Sequence, residues 1–161
     1  MGEMIKVGMG DLKVCRYPDA LTTLGLGSCI GVALYDPMTK VSGLLHFMLP
    51  DSTQIRNNSN RAKFADTGIE DLISEMCKLG ANPTRFVAKI AGGAQMFSTI
   101  GTADVLCVGQ RNAEAAKREL AKRRIKLLSE DTGLDYGRTV EFYSETGEYK
   151  IKSIGKGIKV I

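Results

Sequence analysis

The chain has one histidine, His46, and four cysteines, Cys15, Cys29, Cys77 and Cys107. A thiol that can pass its proton to an imidazole is a nucleophile, so the first question is which cysteine His46 can meet. A lone histidine excludes every His-cluster metal site. The cysteines are scattered with no C-x-x-C pair, which argues against a zinc ribbon or a thioredoxin-like redox pair. No metal and no cofactor is expected.

Cys29 lies in TTLGLGSCIGVALY, residues 22–35, where Gly25 and Gly27 permit close backbone approach to a ligand. A dinucleotide loop is rejected, because the third glycine comes one residue late and a strand-like run follows instead of a helix. The runs 30–35 and 41–48 flank the turn Asp36-Pro37-Met38-Thr39 and read as a hairpin. With Tyr35 opposite Lys40, Cys29 falls opposite His46, at a Cβ separation of about 4.5–5.5 Å. The other face then pairs Ile30, Val32 and Leu34 with Leu45, Gly43 and Val41, uniformly apolar or small. An adjacent imidazolium would favour the thiolate over a thiol of ordinary pKa ~8.5, and N–H groups of the glycine-rich turn could hold an oxyanion. The spacing is met equally by two ordinary half-buried strand residues, and a loop of another length moves the register. Cys15, Cys77 and Cys107 have no such partner and read as packing residues.

These residues must be positioned by a strand-rich scaffold. Short strands are expected at 6–8, 11–15 and 22–24, and further strands at 85–91 and 125–128. Residues 139–144 and 148–153 read as a hairpin, on the alternation of Val140 and Phe142 with Tyr149 and Ile151. A helix is expected over 61–79, ended by Gly80 and Asn82-Pro83, and a second over 111–123 with Ala113, Ala116 and Leu120 on one side. Residues 51–61 read as a loop. The sum is an α+β domain, helices packed on strand-rich layers with mostly antiparallel pairing.

The 161 residues suit a single domain over 1–161, with 43% hydrophobic and 25% charged residues. No apolar run is long enough to span a membrane, and the N-terminal stretch lacks the apolar core of a signal peptide, so a cytoplasmic protein is expected. The net charge of +4 is local: residues 111–126 hold seven basic and two acidic side chains. The segment reads as the solvated face of a helix rather than a nucleic-acid surface, since no aromatic recognition motif accompanies it.

The segments TLGLGSC (23–29), LHFMLPDS (45–52), KIAGGAQMF (89–97), GQRN (109–112) and EDTG (130–133), with Gly137-Arg138 and Thr146-Gly147, follow one another in an order that resembles the CheD family of chemoreceptor glutamine deamidases. The resemblance covers nearly the whole chain. It implies a layered α/β/β sandwich and a cysteine hydrolase that converts receptor glutamines to glutamate, releasing ammonia. It also implies hydrolysis of glutamate methyl esters in some members. Carried over by position, Cys29 is the nucleophile, His46 the general base and later acid, and Thr23 the residue that positions them. Gly27, Ser28, Gly92, Gly93 and Gln95 are the expected substrate-binding or oxyanion residues. For Gly92 and Gly93 a tight turn after a strand is the equal alternative, and for Ser28 a plain strand-start hydroxyl. Arg138 reads as structural or surface. The implied partners are the cytoplasmic helices of chemoreceptors and a CheC-type phosphatase. The competing expectation is a regulatory interaction module that binds that phosphatase with little deamidase activity.

Overall fold

Two runs of unbroken apolar character, 30–36 and 41–47, become the two most deeply buried strands of the protein. In the computed structural model, which describes residues 2–95 and 108–161, every residue of β4 (Ile30–Asp36) and β5 (Val41–Phe47) is buried. Burial on both faces requires a layer on each side, and the chain supplies both. Cys107, and Met96 and Phe97 at the end of the KIAGGAQMF segment, lie outside the described residues.

The sheet containing these strands runs in the order β2 (Asp11–Cys15), β5, β4, β6 (Val87–Gly92) and β7 (Lys126–Thr132). The facing sheet runs β1 (Met4–Val7), β3 (Ala20–Leu26), β8 (Arg138–Tyr143), β9 (Tyr149–Ser153) and β10 (Gly157–Val160). Pairing is antiparallel except for β1 with β3 and β6 with β7. Two helices, α1 (Ala65–Lys78) and α2 (Val108–Lys122), cover the outer face of the first sheet. Strand alternation divides the core between these layers. Ile30, Val32, Leu34, Leu45 and Phe47 pack with Ile69, Leu72 and Met76 of α1 and with Ala116 and Leu120 of α2. Ala33, Tyr35 and Leu44 point the other way, against Leu21, Val140, Phe142 and Tyr149 of the facing sheet. The result is the expected α/β/β sandwich. Gly43 lets α1 sit directly on β5, because a Cβ there would stand 2.7 Å from Leu72 Cδ1 and 2.8 Å from Met76 Sδ.

Several boundaries differ from the sequence reading, each for a tertiary reason. The helix expected at 61–79 is a 3-10 turn, Arg61–Lys63, followed by α1. Phe64 between them is extended, fully buried, and bridged to Leu49. Met48 and Leu49 N–H groups both donate to the Lys63 carbonyl, so the chain is held to the end of β5 before the helix begins. Gly80 takes the left-handed conformation at the helix end, with φ +97°. Cys77 is exposed rather than packed, because it lies one residue, about 100° of rotation, beyond buried Met76. The second helix starts at Val108, and β10 was not foreseen: its four residues are all exposed, so it carries no alternation. The hairpin β8/β9 pairs Val140 with Ile151 and Phe142 with Tyr149. No described helix is long and apolar enough to cross a membrane.

Asp36 closes the β4/β5 hairpin and is itself fully buried. Burial alone would raise its carboxyl. The Arg85 guanidinium, at 2.9 and 2.8 Å, and the N–H groups of Asn82 and Met38 outweigh that and hold it far below the usual carboxylate range. A depressed folded-state pKa gives stability that is complete above the unfolded value of ~3.9 and is lost as pH falls further. Arg85→Ala strands a buried carboxylate and is expected to destabilise the fold at neutral pH. Urea denaturation of the variant and parent from pH 7 to pH 3 measures this, and the gap between them should close toward the acid end.

Candidate active site

The β4/β5 hairpin sets where Cys29 and His46 stand. Its closing pair is Asp36 with Val41, around a four-residue loop in which Lys40 N–H donates to the Asp36 carbonyl and Lys40 is left-handed at φ +58°. The register is therefore two residues away from the expected one. Gly31, not Cys29, is opposite His46, and Ile30 is opposite Phe47. A two-residue slip preserves which side chains share a face, so Cys29 and His46 still belong to the inter-sheet side. The two are not a ladder pair, since the ladder ends at Ile30 with Phe47. No hydrogen bond joins them, and His46 Nε2 is buried without a partner among the described residues.

His46 is 1% exposed and held on three sides. Its backbone pairs with Gly31 and with Asp11, and its carbonyl accepts from Gly10 N–H. From the facing sheet, Thr23 reaches it: Thr23 Oγ1 is 2.8 Å from His46 Nδ1 and donates to the Val7 carbonyl at 2.7 Å. This pair of contacts decides the tautomer. A hydroxyl has one proton, and a carbonyl can only accept, so the Thr23 proton is committed to Val7. The Thr23 oxygen then accepts from Nδ1–H, which leaves Nε2 as the unprotonated ring nitrogen. Burial lowers the pKa of His46, so the ring is neutral at pH 7. Burial also raises the Cys29 thiol, against a smaller opposing effect of its own backbone N–H. The resting pair is thus a neutral thiol and a neutral imidazole, and the thiolate–imidazolium pair expected from the sequence is not the resting state.

Cys29 sits in the bend between β3 and β4, and the β6 terminus locks that bend. Gly93 N–H donates to the Cys29 carbonyl at 2.9 Å and Ala94 N–H to the Gly27 carbonyl at 2.9 Å. Gly92 has φ +112°, and a Cβ there would be 2.2 Å from the Cys29 carbonyl oxygen. Gly92 and Gly93 therefore form a tight turn whose N–H groups support the bend. Gly93 N–H is spent on Cys29, and Gln95 N–H on the Leu134 carbonyl, so neither is free for an oxyanion. The N–H groups of Gly27 and Ser28 have no acceptor among the described residues. Gln95 is exposed and lines a 380 Å³ cleft with Gly93, Gln110, Glu114, Lys117 and Leu134. The remaining support is Arg138, fully buried rather than at the surface. It ion-pairs with Asp131 at 3.1 Å and donates to the Gly92 and Gly133 carbonyls.

Two contributors, Asn112 within the GQRN segment and Tyr149 of the β8/β9 hairpin, are given no site role by the sequence reading. Asn112, buried on α2, donates to the carbonyls of Ser28 and Met48, and Tyr149 OH donates to the Gly31 carbonyl directly across from His46. A signal existed for the first, an asparagine beside the apolar side of a helix, but its partners are 84 and 64 residues away. Part of the basic segment is ion-paired within the fold, Lys122 and Arg123 with Glu119 and Lys117 with Glu130.

The family model "CheD chemotactic sensory transduction" matches residues 48–153. A probable chemoreceptor glutamine deamidase CheD of Lachnoclostridium phytofermentans is 60% identical over all of both chains. The chemoreceptor glutamine deamidase CheD of Halalkalibacterium halodurans is 46% identical, also over all of both. Among solved structures, a Neisseria meningitidis protein of family DUF152 superposes with TM-score 0.53 and 11% identity. It matches 83% of this chain, which spans 64% of that protein, and shows a shared fold.

With a single histidine, ring nitrogen resonances of histidine-labelled protein report one residue. The Nδ1 resonance should be of the protonated type and Nε2 of the bare type, and Thr23→Val should mix the two tautomers. The titration midpoint should lie below ~6.5. A folded pKa lowered in this way makes stability complete above pH ~6.5 and reduced as pH falls below it.

Proposed function

As the chain belongs to the CheD family, we propose that it deamidates glutamine side chains of chemoreceptors through a thioester on Cys29. The observation that carries the reading is the Thr23–His46 hydrogen bond. It leaves Nε2 bare, buried and on the face that Cys29 shares.

In the proposed reaction His46 Nε2 takes the Cys29 proton as the sulfur attacks the amide carbon. The amide π electrons move to oxygen, and the N–H groups of Gly27 and Ser28 are the proposed donors to that oxyanion. Collapse expels the amide nitrogen, which takes the proton from His46 Nε2 and leaves as ammonia. Water then attacks the thioester carbon while His46 takes its proton. The C–S bond breaks, the sulfur regains the proton, and a glutamate side chain remains. Because both partners rest neutral, proton transfer and attack are coupled, and no standing thiolate is required. The Cys29–His46 hydrogen bond belongs to the substrate complex in this reading, since catalytic hydrogen bonds are often long or poorly aligned before substrate binds. Throughout, Thr23 accepts from Nδ1–H, so the ring cannot rotate to present the wrong nitrogen.

A methyl ester presents the same acyl carbon with a better leaving group, so glutamate methyl esters are a proposed second substrate of the same residues. The motif resemblance supports a CheC-type phosphatase as the proposed protein partner, and the cytoplasm, where receptor helices of this kind lie, as the proposed location.

Cys29→Ala is expected to abolish ammonia release from a chemoreceptor cytoplasmic fragment, and the amide-to-acid mass change in its peptides, while the circular dichroism of the enzyme is unchanged. Wild-type turnover in that variant would sink the mechanism. For the parent enzyme, kcat/KM should lose activity on the acid side only below pH ~6.5, because the base is His46 with a pKa lowered by burial.

A further inference from the structure

The β4/β5 ladder ends one step short of the nucleophile. Its last pair is Ile30 with Phe47, and the same register continued would set Cys29 against Met48. That pair does not form: Met48 N–H turns away to the Lys63 carbonyl. The Asn112 side chain stands in the gap instead. Its Nδ2 is 2.9 Å from the Ser28 carbonyl and 2.9 Å from the Met48 carbonyl. Neither carbonyl can donate, so the amide orientation is forced and both Nδ2 protons are used.

We propose that Asn112 is the positioning residue for the nucleophile, its buried amide clamping the carbonyls of Ser28 and Met48 and so fixing Cys29 relative to His46. Ser28 C=O and Cys29 N–H belong to one planar peptide unit and point in opposite directions. Holding the carbonyl therefore sets the direction of the Cys29 N–H and the start of the Cys29 side chain. On the other strand, Met48 lies two residues beyond His46, on rigid backbone. One amide thus ties the nucleophile's peptide to the base's strand.

Two features show that the placement is built. Gly109, one turn earlier on α2, has room only for hydrogen: a Cβ would be 2.4 Å from the Ala94 carbonyl oxygen and 2.5 Å from that of Gly93. The helix is thereby seated on the same turn that grips Cys29, which brings Asn112 within reach of both carbonyls. Asn112 is also fully buried with Oδ1 unpartnered among the described residues. A buried amide with an orphan oxygen is a poor choice for stability alone, whereas two donors aimed at two carbonyls are what a clamp needs.

The inference rests on Cys29 being the nucleophile, and its test separates the two. Asn112→Ala and Asn112→Ser are compared with the parent and with Cys29→Ala. The readouts are kcat and KM on a glutamine-bearing receptor fragment, and the pH profile of Cys29 alkylation by iodoacetamide, read by peptide mass spectrometry with exposed Cys77 as internal reference. For Asn112→Ala, kcat is expected to fall about 100-fold with KM hardly changed. The Cys29 profile should move while that of Cys77 does not, and Asn112→Ser, with one donor, should fall between. The serine variant decides the matter if alanine prevents folding. Parent values of kcat and of the Cys29 profile in a folded Asn112 variant overturn the clamp. If Cys29→Ala is inactive in the same assay, the deamidase reading stands without it. Activity in Cys29→Ala overturns both.

Discussion

A threonine hydroxyl has one proton to give, and here it is given to a backbone carbonyl. The Thr23 oxygen can then only accept from His46, and the imidazole is left with its far nitrogen bare. The contact crosses between two sheets: Thr23 is on β3, Val7 on β1 and His46 on β5. It therefore exists only while the sheets are stacked in one relative position. The apolar inter-sheet core is what holds them there, with Leu21, Val140, Phe142 and Tyr149 on one side and Ala33, Tyr35 and Leu44 on the other. The tautomer of His46, the proposed base, and correct packing of the sandwich are thus one condition.

The proposed nucleophile is held differently. Cys29 is not within a regular strand, and its bend would be loose without external ties. The ties come from three directions: the Gly92-Gly93 turn at the end of β6, Arg138 behind that turn, and Asn112 from the helix layer. Glycines matter where backbone meets backbone. Gly92 admits the Cys29 carbonyl and Gly109 admits the Gly93 and Ala94 carbonyls, at distances no side chain tolerates. His46 thus sits within a regular sheet and Cys29 on a bend pinned from outside it.

Burial also explains the electrostatics. In a site this dry, each charged form is disfavoured, so the thiol is pushed up and the imidazole down. An ion pair at rest would have to be solvated by the protein, and among the described residues no charged group contributes to either shift. Some of the chain's basic side chains are ion-paired away from this site, Lys122 and Arg123 with buried Glu119 and Lys117 with Glu130.

Local pattern carried the layer plan: doubly apolar runs for the central strands, a 3.6-residue stripe for α1 and alternation for β8 and β9 all lie within short windows of sequence. The face shared by Cys29 and His46 was legible for the same reason, since parity along a strand survives an even slip of register. The register itself was not, because it depends on the loop. Asp36 bound to Arg85 and left-handed Lys40 move the four-residue connection by one position, from 36–39 to 37–40, which Pro37 alone does not announce. The motifs singled out Thr23, Cys29, His46 and the glycine pair, but not which N–H groups are already spoken for, nor which histidine nitrogen is free. Those follow from partners 16 to 84 residues apart that meet only when both sheets and α2 are in place. The sequence by itself determined the elements and the reactive residues, whose signals are local. The tertiary structure decided the protonation of His46 and the placement of Cys29, because a hydrogen bond has a direction and a partner that only packing supplies.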